Sequence, residues 1–422
     1  MHLLIIGLNF APELTGIGKY TSEMAAWFAE RGHSVTIVTT PPYYPSWKIA
    51  SGYSNAAWQT ETWKGCTVIR CPVYVPRTVT GARRILHLAS FALSAAIPAF
   101  FQALRHKPDL VLGVAPALLA APIALAAGRL AGAKTWLHVQ DLEIEAAFEL
   151  GILQSQRTKD GVLAAERRML QKFDLVSSIS PKMVDAIKRK SFPGERLMLM
   201  PNWVDLSRIF PLATPSTLRR ELGIDEDRCV ALYSGSMGQK QGLDVIIDAA
   251  HEIAAKPVQS PLFVLAGDGP ARERLEAKAA GLANVRFLPL QEEGEFNKLL
   301  NAADLHLLPQ RRDAADLVMP SKLAAIFAAG KPVIASVPKD SQIAVAVGSA
   351  GTIVPPEDSQ ALAAAVLELA TAPARRDQMG IEALAIAKQW NTSVVLGLAE
   401  KRLLEICRTP IPTATVARVA DA

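Results

Sequence analysis

At 422 residues, half of them hydrophobic and a fifth charged, the chain is too long for one core and too apolar for a disordered protein, and it suits two domains of ordinary size. Its formal net charge of +5 is a mild excess without a dense Lys/Arg block interleaved with aromatics, which argues against nucleic acid as a partner. Cys66, Cys71, Cys229 and Cys407 lack paired spacing, which argues against a zinc site or disulfide scaffold and for a reducing cytoplasm.

The first apolar run, "LLIIG" at 3–7, reads as a buried strand, and Thr21–Arg31 sets Met24, Trp27 and Phe28 at helical spacing. That run is cut by Pro12 and Glu13 and has no basic region before it, so it does not read as a secretory signal. Gly16 and Gly18 fall in the loop between strand and helix. A dinucleotide site would need a third glycine and an acidic residue at the end of the next strand. Here the third position is Thr21, and "HSVTIVTTPP" ends in Thr39, Thr40 and two prolines, which argues against NAD. What remains is a Gly-x-Gly turn that an anion or a sugar can approach closely, with a ligand-free tight turn as the open alternative. Tyr43, Tyr44 and Trp47 follow in "PPYYPSW", where they suit a sugar-stacking surface, a lipid interface or a structural loop equally.

Residues 85–104, "ILHLASFALSAAIPAFFQAL", are long enough to span a bilayer and are bracketed by Arg83, Arg84, Arg105 and Lys107. A buried core helix, an interfacial helix and a true span compete, and Pro98 with the following strand "PDLVLG" favours a crossover inside a domain. Residues 110–127 carry no charge, but Gly113, Pro116 and Pro122 divide them into a strand and the start of a helix.

Strand candidates in the first half are "LLIIG", "SVTIVTT", "TVIRCPV", "DLVLGV", "KTWLHVQ" and "DLVSSIS". Around 198–211 the pattern breaks into "MLMPNWVDLSRIFP", a domain crossing, and a second series follows: "CVALYSG", "LFVLAGDG", "VRFLPL", "LHLLPQ", "PVIASV" and "AGTIVPP". Alternating strands and helices, with each half opening on strand, glycine loop and helix, predict an α/β protein of two facing Rossmann-like, doubly wound domains with a ligand cleft between them. "DED" at 225–227 imitates the Asp-x-Asp of metal-dependent transferases but sits in a charged turn and reads as a loop.

"FVLAGDGPARERLEAKAAGLANVRFLP", "LLNAADLHLLPQ", "MPSKLAAIFAAGKPVIAS" and "GIGKYTSEMAAWFAERGHSVTIVT" together resemble the GT-B glycosyltransferases of family 4 over nearly the whole chain. More narrowly, "PELTGIGKYTSEM", "TPPYYPSWK", "CPVYVP" and "ADLVMPSKL" are similar to glycosyltransferases of colanic acid biosynthesis. The resemblance implies an acceptor domain over 1–200 and a nucleotide-sugar domain over 201–390; the pattern of "SVVLGLAEKRLLEI" predicts a closing amphipathic helix over 391–407, and the tail over 408–422, poor in large apolar residues, is expected to be flexible. The resemblance also implies retaining transfer from a nucleotide-sugar donor, without metal or cofactor, onto a lipid-linked saccharide of an exopolysaccharide, with GDP-fucose as the narrower guess among GDP- and UDP-sugars. Such an enzyme would work in the cytoplasm, at the inner face of the cytoplasmic membrane, touching it through 83–107.

The leaving diphosphate then needs cations and helix N-termini. "SGSMGQKQG" supplies Gly238, Lys240 and Gln241; "MPSKL" supplies Ser321 as a fair N-cap and Lys322 in the first turn. Gly267 and Asp268 of "AGDGP", which also reads as an ordinary turn, and Arg311 with Arg312 after another strand, which also read as solvated loop charges, complete the expected donor set with Gly16 and Gly18. On the acceptor side "TWLHVQDLEIE" offers His138 to position a hydroxyl and Asp141 to orient the imidazole or accept a proton; a packed strand histidine and a helix N-cap are the open alternatives. The chain departs from the family where a Glu-x7-Glu pair falls on Leu317 and Ala325, leaving Asp316 or Asp313 as substitutes, and where an Arg and a Lys fall on Ser236 and Gln241. A sugar-nucleotide epimerase and a degenerate, non-catalytic binding subunit therefore stay open alongside the transferase.

Overall fold

The computed structural model describes residues 1–13, 16–78, 80–115, 118–141, 156–214, 216–312 and 321–408. They fall into two compact units: Met1–Ser178 with Val184–Leu199 and the chain from Leu396 on, and Ile179–Met183 with Met200–Val395. The tail expected to be flexible lies, beyond Arg408, outside the described residues.

The first unit carries strands β1 (His2–Gly7), β2 (Ser34–Thr39), β3 (Gln59–Trp63), β4 (Cys66–Arg70), β5 (Leu110–Ala115), β6 (Lys134–Val139), β7 (Leu175–Ser178) and β8 (Leu197–Leu199). They form one sheet in the order β3-β4-β2-β1-β5-β6-β7-β8. All neighbours are parallel except β3 and β4, whose register Thr60↔Ile69 makes an antiparallel hairpin at one edge. β1 is flanked on both sides, with Ile5 opposite Ile37 and Leu112, and Leu3 to Ile6 are almost fully buried. A strand covered on both faces must be apolar throughout, so "LLII" does not alternate. Helices α1 (Gly16–Glu30), α2 (Gly81–His106) and α3 (Ala121–Ala131) make crossovers of this sheet.

The second unit has β9 (Val230–Ser234), β10 (Leu262–Ala266), β11 (Val285–Leu288), β12 (Leu305–Pro309), β13 (Val333–Ser336) and β14 (Gly351–Val354), all parallel, in the order β11-β10-β9-β12-β13-β14. Each predicted strand of the second half is present. Ala231 and Tyr233 point into one core with Phe263, Leu265, Leu307 and Ile334, while Val230 and Leu232 join Leu262 and Val264 in another on the opposite face. In both sheets the chain reverses its winding at the first strand of the unit, beside β1 and beside β9, and such switch points open a crevice at the strands' carboxyl ends.

The closing helix, Thr392–Arg408, starts in the second unit and belongs to the first from Leu396 on. There Glu400, 8% exposed, takes a hydrogen bond from Arg31 Nε at 2.8 Å and meets His33 Nε2 at 2.7 Å. Glu400→Ala is expected to remove about 1–3 kcal/mol from the first unit's unfolding free energy in urea, since two partners lose a charged acceptor. The same variant should leave the second unit's transition where it was.

Candidate active site

At the β9/β12 switch point the loop Gly235–Gly238 leaves β9, makes a tight turn over Gln239–Gln241 and enters the helix Asp244–Ala254. It is laced to the loop after β10: Gly235 N–H donates to Ala266 O at 2.8 Å, Met237 N–H to Asp268 O at 2.8 Å, and Ala271 N–H to Met237 O at 2.9 Å. This lacing demands the glycine of "AGDG". Gly267 has φ +149°, and a Cβ there would stand 1.9 Å from Gly235 O. Gly267 and Asp268 thus act through backbone, fastening one loop to the other, while the Asp268 carboxylate caps Gly269 N–H at 2.7 Å.

The helix Ser321–Ala328 follows β12 and brings Lys322 back to this turn. Lys322 Nζ lies 3.0 Å from Tyr233 Oη and 4.3 Å from the centre of the Tyr233 ring. Tyr233, fully buried in β9, donates its phenolic proton to Ser236 O at 2.5 Å. No carboxylate among the described residues pairs with Lys322, and burial lowers its pKa to about 8. Sequence reasoning named Lys322 and did not name Tyr233, which reads as one more apolar member of a core strand.

Arg311 follows β12, is exposed, and lies against Gly242, whose Cβ would stand 3.2 Å from Arg311 Cγ. The amide oxygens of Gln241 and Gln310, on either side of that contact, are buried without a hydrogen-bond partner. Gln241 folds back over Gly238, where a Cβ would stand 2.8 Å from its Oε1. Lys240 lies on the tight turn and Ser321 opens its helix, but neither side chain is among the described parts. Leu317, Asp316 and Asp313 also lie outside the described residues; Ala325, on the helix, carries no carboxylate. Lys322, Arg311, Gly238, Gln241, Gly267 and Asp268 therefore gather at one end of one sheet, whereas Gly16 and Gly18 belong to the first unit. Asp225–Asp227 form an exposed turn, and among the described residues no three His, Cys, Asp or Glu side chains group as a metal site.

In the first unit, Gly18 is buried against an acid. Glu13, 6% exposed, accepts from the backbone N–H of Tyr43 and of Tyr44 at 3.0 Å each and from Asn9 Nδ2 at 2.8 Å. Burial raises its pKa, opposed by those three donors. Gly18 leaves room for it, since a Cβ would stand 2.9 Å from Glu13 Oε2. A lone acid in a loop gave no signal of this, because Tyr43 and Tyr44, whose backbone N–H groups it accepts from, sit about thirty residues later. The Tyr43 hydroxyl meets His87 Nε2 of α2 at 3.0 Å, and Trp47 packs on both rings. Of this loop's aromatics, Tyr44 is the one that faces solvent.

His138, at the end of β6, is fully buried: Nδ1 meets Ser177 Oγ at 2.8 Å and Nε2 meets Gln140 Nε2 at 3.2 Å. Burial lowers its pKa to about 4, so the ring is neutral at pH 7. Asp141 stands two residues past β6, half-buried; Glu143 and Glu145 lie outside the described residues.

α2 is capped at its start by Thr80 and buries His87, Phe91, Ala92, Ala95, Pro98, Ala99 and Ala103. Its opposite face exposes Leu86, Leu93, Ile97, Phe101 and Leu104, Leu93 to 75%. Arg83, Arg84, Arg105 and Lys107 at its ends are exposed. The helix is long and apolar enough to cross a membrane by length and composition, yet it packs on α3 and the sheet.

Two family models match the chain, a glycosyl transferase 4-like domain over 15–203 and glycosyl transferases group 1 over 228–372. Over 340 residues, 78% of this chain and 82% of the relative, it is 41% identical to an Escherichia coli K12 protein named for glycosyl transfer in colanic acid biosynthesis, WcaI. Sucrose-phosphate synthase of Thermosynechococcus elongatus superposes with a TM-score of 0.75 at 18% identity, over 96% of this chain and 98% of that one. HepE of Anabaena, in complex with UDP-glucose, gives 0.66 at 17% identity over 96% and 100%. With a parallel α/β sheet in each unit, a glycosyltransferase model on each half and a relative this similar along most of its length, the chain belongs to the family 4 glycosyltransferases of the GT-B fold.

Proposed function

We propose that this glycosyltransferase takes its sugar from a nucleoside diphosphate donor bound at the β9/β12 switch point and passes it, with retention, to a lipid-linked saccharide of a colanic-acid-like exopolysaccharide. The observation that carries this reading is Lys322: a half-buried ammonium that, among the described residues, has no carboxylate partner, at the mouth of a glycine turn where an incoming diphosphate supplies an anion. Support for a nucleotide-sugar comes from the solved structure of HepE with UDP-glucose, and support for the pathway from the WcaI relative. Lys322, Lys240 and backbone N–H groups replace a metal in neutralising the leaving group, and the departing phosphate oxygen takes the acceptor's proton on the same face of the sugar. The first unit receives the acceptor. There His138, neutral and held on both ring nitrogens, acts by fixing Gln140 at the end of β6, and Asp141 is the solvent-reaching group beside it.

The nucleotide is tested by melting the protein with GDP, UDP and ADP in EDTA. A ligand at a hundred times its Kd adds about 2.7 kcal/mol, readily seen as a raised Tm. No shift with any of them, in a cooperatively folding sample, would remove the reading. Turnover with labelled nucleotide-sugars and lipid-linked acceptor, with and without EDTA, then separates transfer from isomerisation of the donor alone.

The same reading seats the exposed face of α2 on the anionic inner leaflet, with its terminal arginines at the headgroups. Leu93→Glu with Ile97→Glu is expected to abolish flotation with phosphatidylglycerol vesicles while nucleotide binding stays unchanged. Co-flotation that survives both charges would rule this face out.

A further inference from the structure

We propose that Tyr233 is a positioning residue for the donor: its phenol fixes the Lys322 ammonium at the Gly235 turn, and so fixes where the diphosphate charge is neutralised. The inference rests on the reading of Lys322 as a diphosphate ligand. Its basis is the hydrogen-bond arithmetic of three groups. A phenol has one proton, and Tyr233 gives it to Ser236 O, so only its lone pairs face Lys322. The ammonium spends one proton on that oxygen and keeps the rest for a ligand. The Tyr233 ring, 4.3 Å away, offers its electron-rich face to the same charge, which favours the cation where, among the described residues, no carboxylate pairs with it.

The space is set by Gly235. A Cβ there would stand 3.0 Å from Lys322 Nζ and 3.3 Å from its Cε, and Gly235, at φ +134°, leaves that close approach open. One phenol therefore ties the turn, through Ser236, to the helix that carries the lysine. Burial pushes the phenol's own pKa up, so Tyr233 stays protonated wherever Lys322 titrates. Among the described residues, no other titratable side chain perturbs Lys322.

The test is calorimetric titration of GDP and UDP into the full-length protein and its Tyr233→Phe, Lys322→Ala and Lys322→Arg variants between pH 6.5 and 9.5. Tyr233→Phe is expected to weaken nucleotide binding roughly tenfold and to move the alkaline midpoint of affinity to lower pH, because the charged lysine loses a hydrogen bond. Lys322→Arg keeps a charge that no longer fits the phenol, and is expected not to restore wild-type affinity. If Lys322→Ala weakens binding but Tyr233→Phe binds like the wild type, the inference fails and the donor reading stands. A weaker Tyr233→Phe with an unmoved midpoint reduces Tyr233 to packing and also overturns it. If neither variant changes binding, the donor reading fails as well. Should Tyr233→Phe not fold, wild-type affinity in Lys322→Arg overturns the inference by itself.

Discussion

Lys322→Ala should lower turnover with the nucleotide-sugar donor about 10²–10³-fold, the usual cost of removing one preorganised group that meets charge in the transition state. The chain should remain folded, because what is lost is a cation that burial disfavours. An ordinary lysine in the unfolded chain titrates near about 10.4, whereas burial lowers Lys322 to about 8. Between those values the unfolded chain holds more protons than the folded one, so stability rises with pH. The cost of burying this charge is therefore full below about pH 8 and relieved above it. Donor binding has the opposite sign. The diphosphate meets the charged lysine, so affinity should be greatest below about pH 8 and then fall roughly tenfold per pH unit. Titrating GDP or UDP in buffers of different ionisation heat should show proton uptake near pH 8 in the wild type and none in Lys322→Ala. Affinity independent of pH from 7 to 9 would mean that Lys322 does not touch the nucleotide.

Gly267→Ala should destabilise the second unit by roughly 2–4 kcal/mol, because it combines a strained backbone with a collision between two main chains. Its φ of +149° is a region L-residues rarely adopt, and the Cβ would stand 1.9 Å from Gly235 O. Neither loop can yield alone, since Gly235 N–H and Met237 N–H are bonded to the chain on either side of Gly267. For a unit of this size the loss corresponds to a Tm roughly 5–15 °C lower, measurable by calorimetry. The same loops form the turn at which the nucleotide is proposed to bind, so in this variant nucleotide binding should fall together with stability, whereas Lys322→Ala should lose binding alone.

The fold was legible because a strand buried on both faces needs an unbroken apolar run, and "LLIIG", "CVALYSG" and "LHLLPQ" supply one. β3 was not: Gln59-Thr60-Glu61-Thr62-Trp63 lies at the sheet's edge, pairs on one side only and needs no apolar run. β8, three residues long, gave no period to read. At the site, Lys322 was visible because a serine and a lysine open a helix after a strand, a local pattern. Tyr233 and Glu13 were invisible because their meaning lies in distant partners: Lys322 for one, Tyr43 and Tyr44 for the other. His138 shows the reverse, a residue whose chemistry the sequence advertises and whose ring nitrogens the fold has already engaged.

The division of the closing helix at Leu396 has a consequence for how the protein is made. The second unit is inserted within the first, whose final stretch carries Glu400, the acceptor of Arg31. On the ribosome, nearly all of the second unit emerges before the first has its last helix. The larger sheet, whose strands β1 to β8 all precede Met200, must therefore wait without its unit's last helix through the synthesis of about two hundred intervening residues.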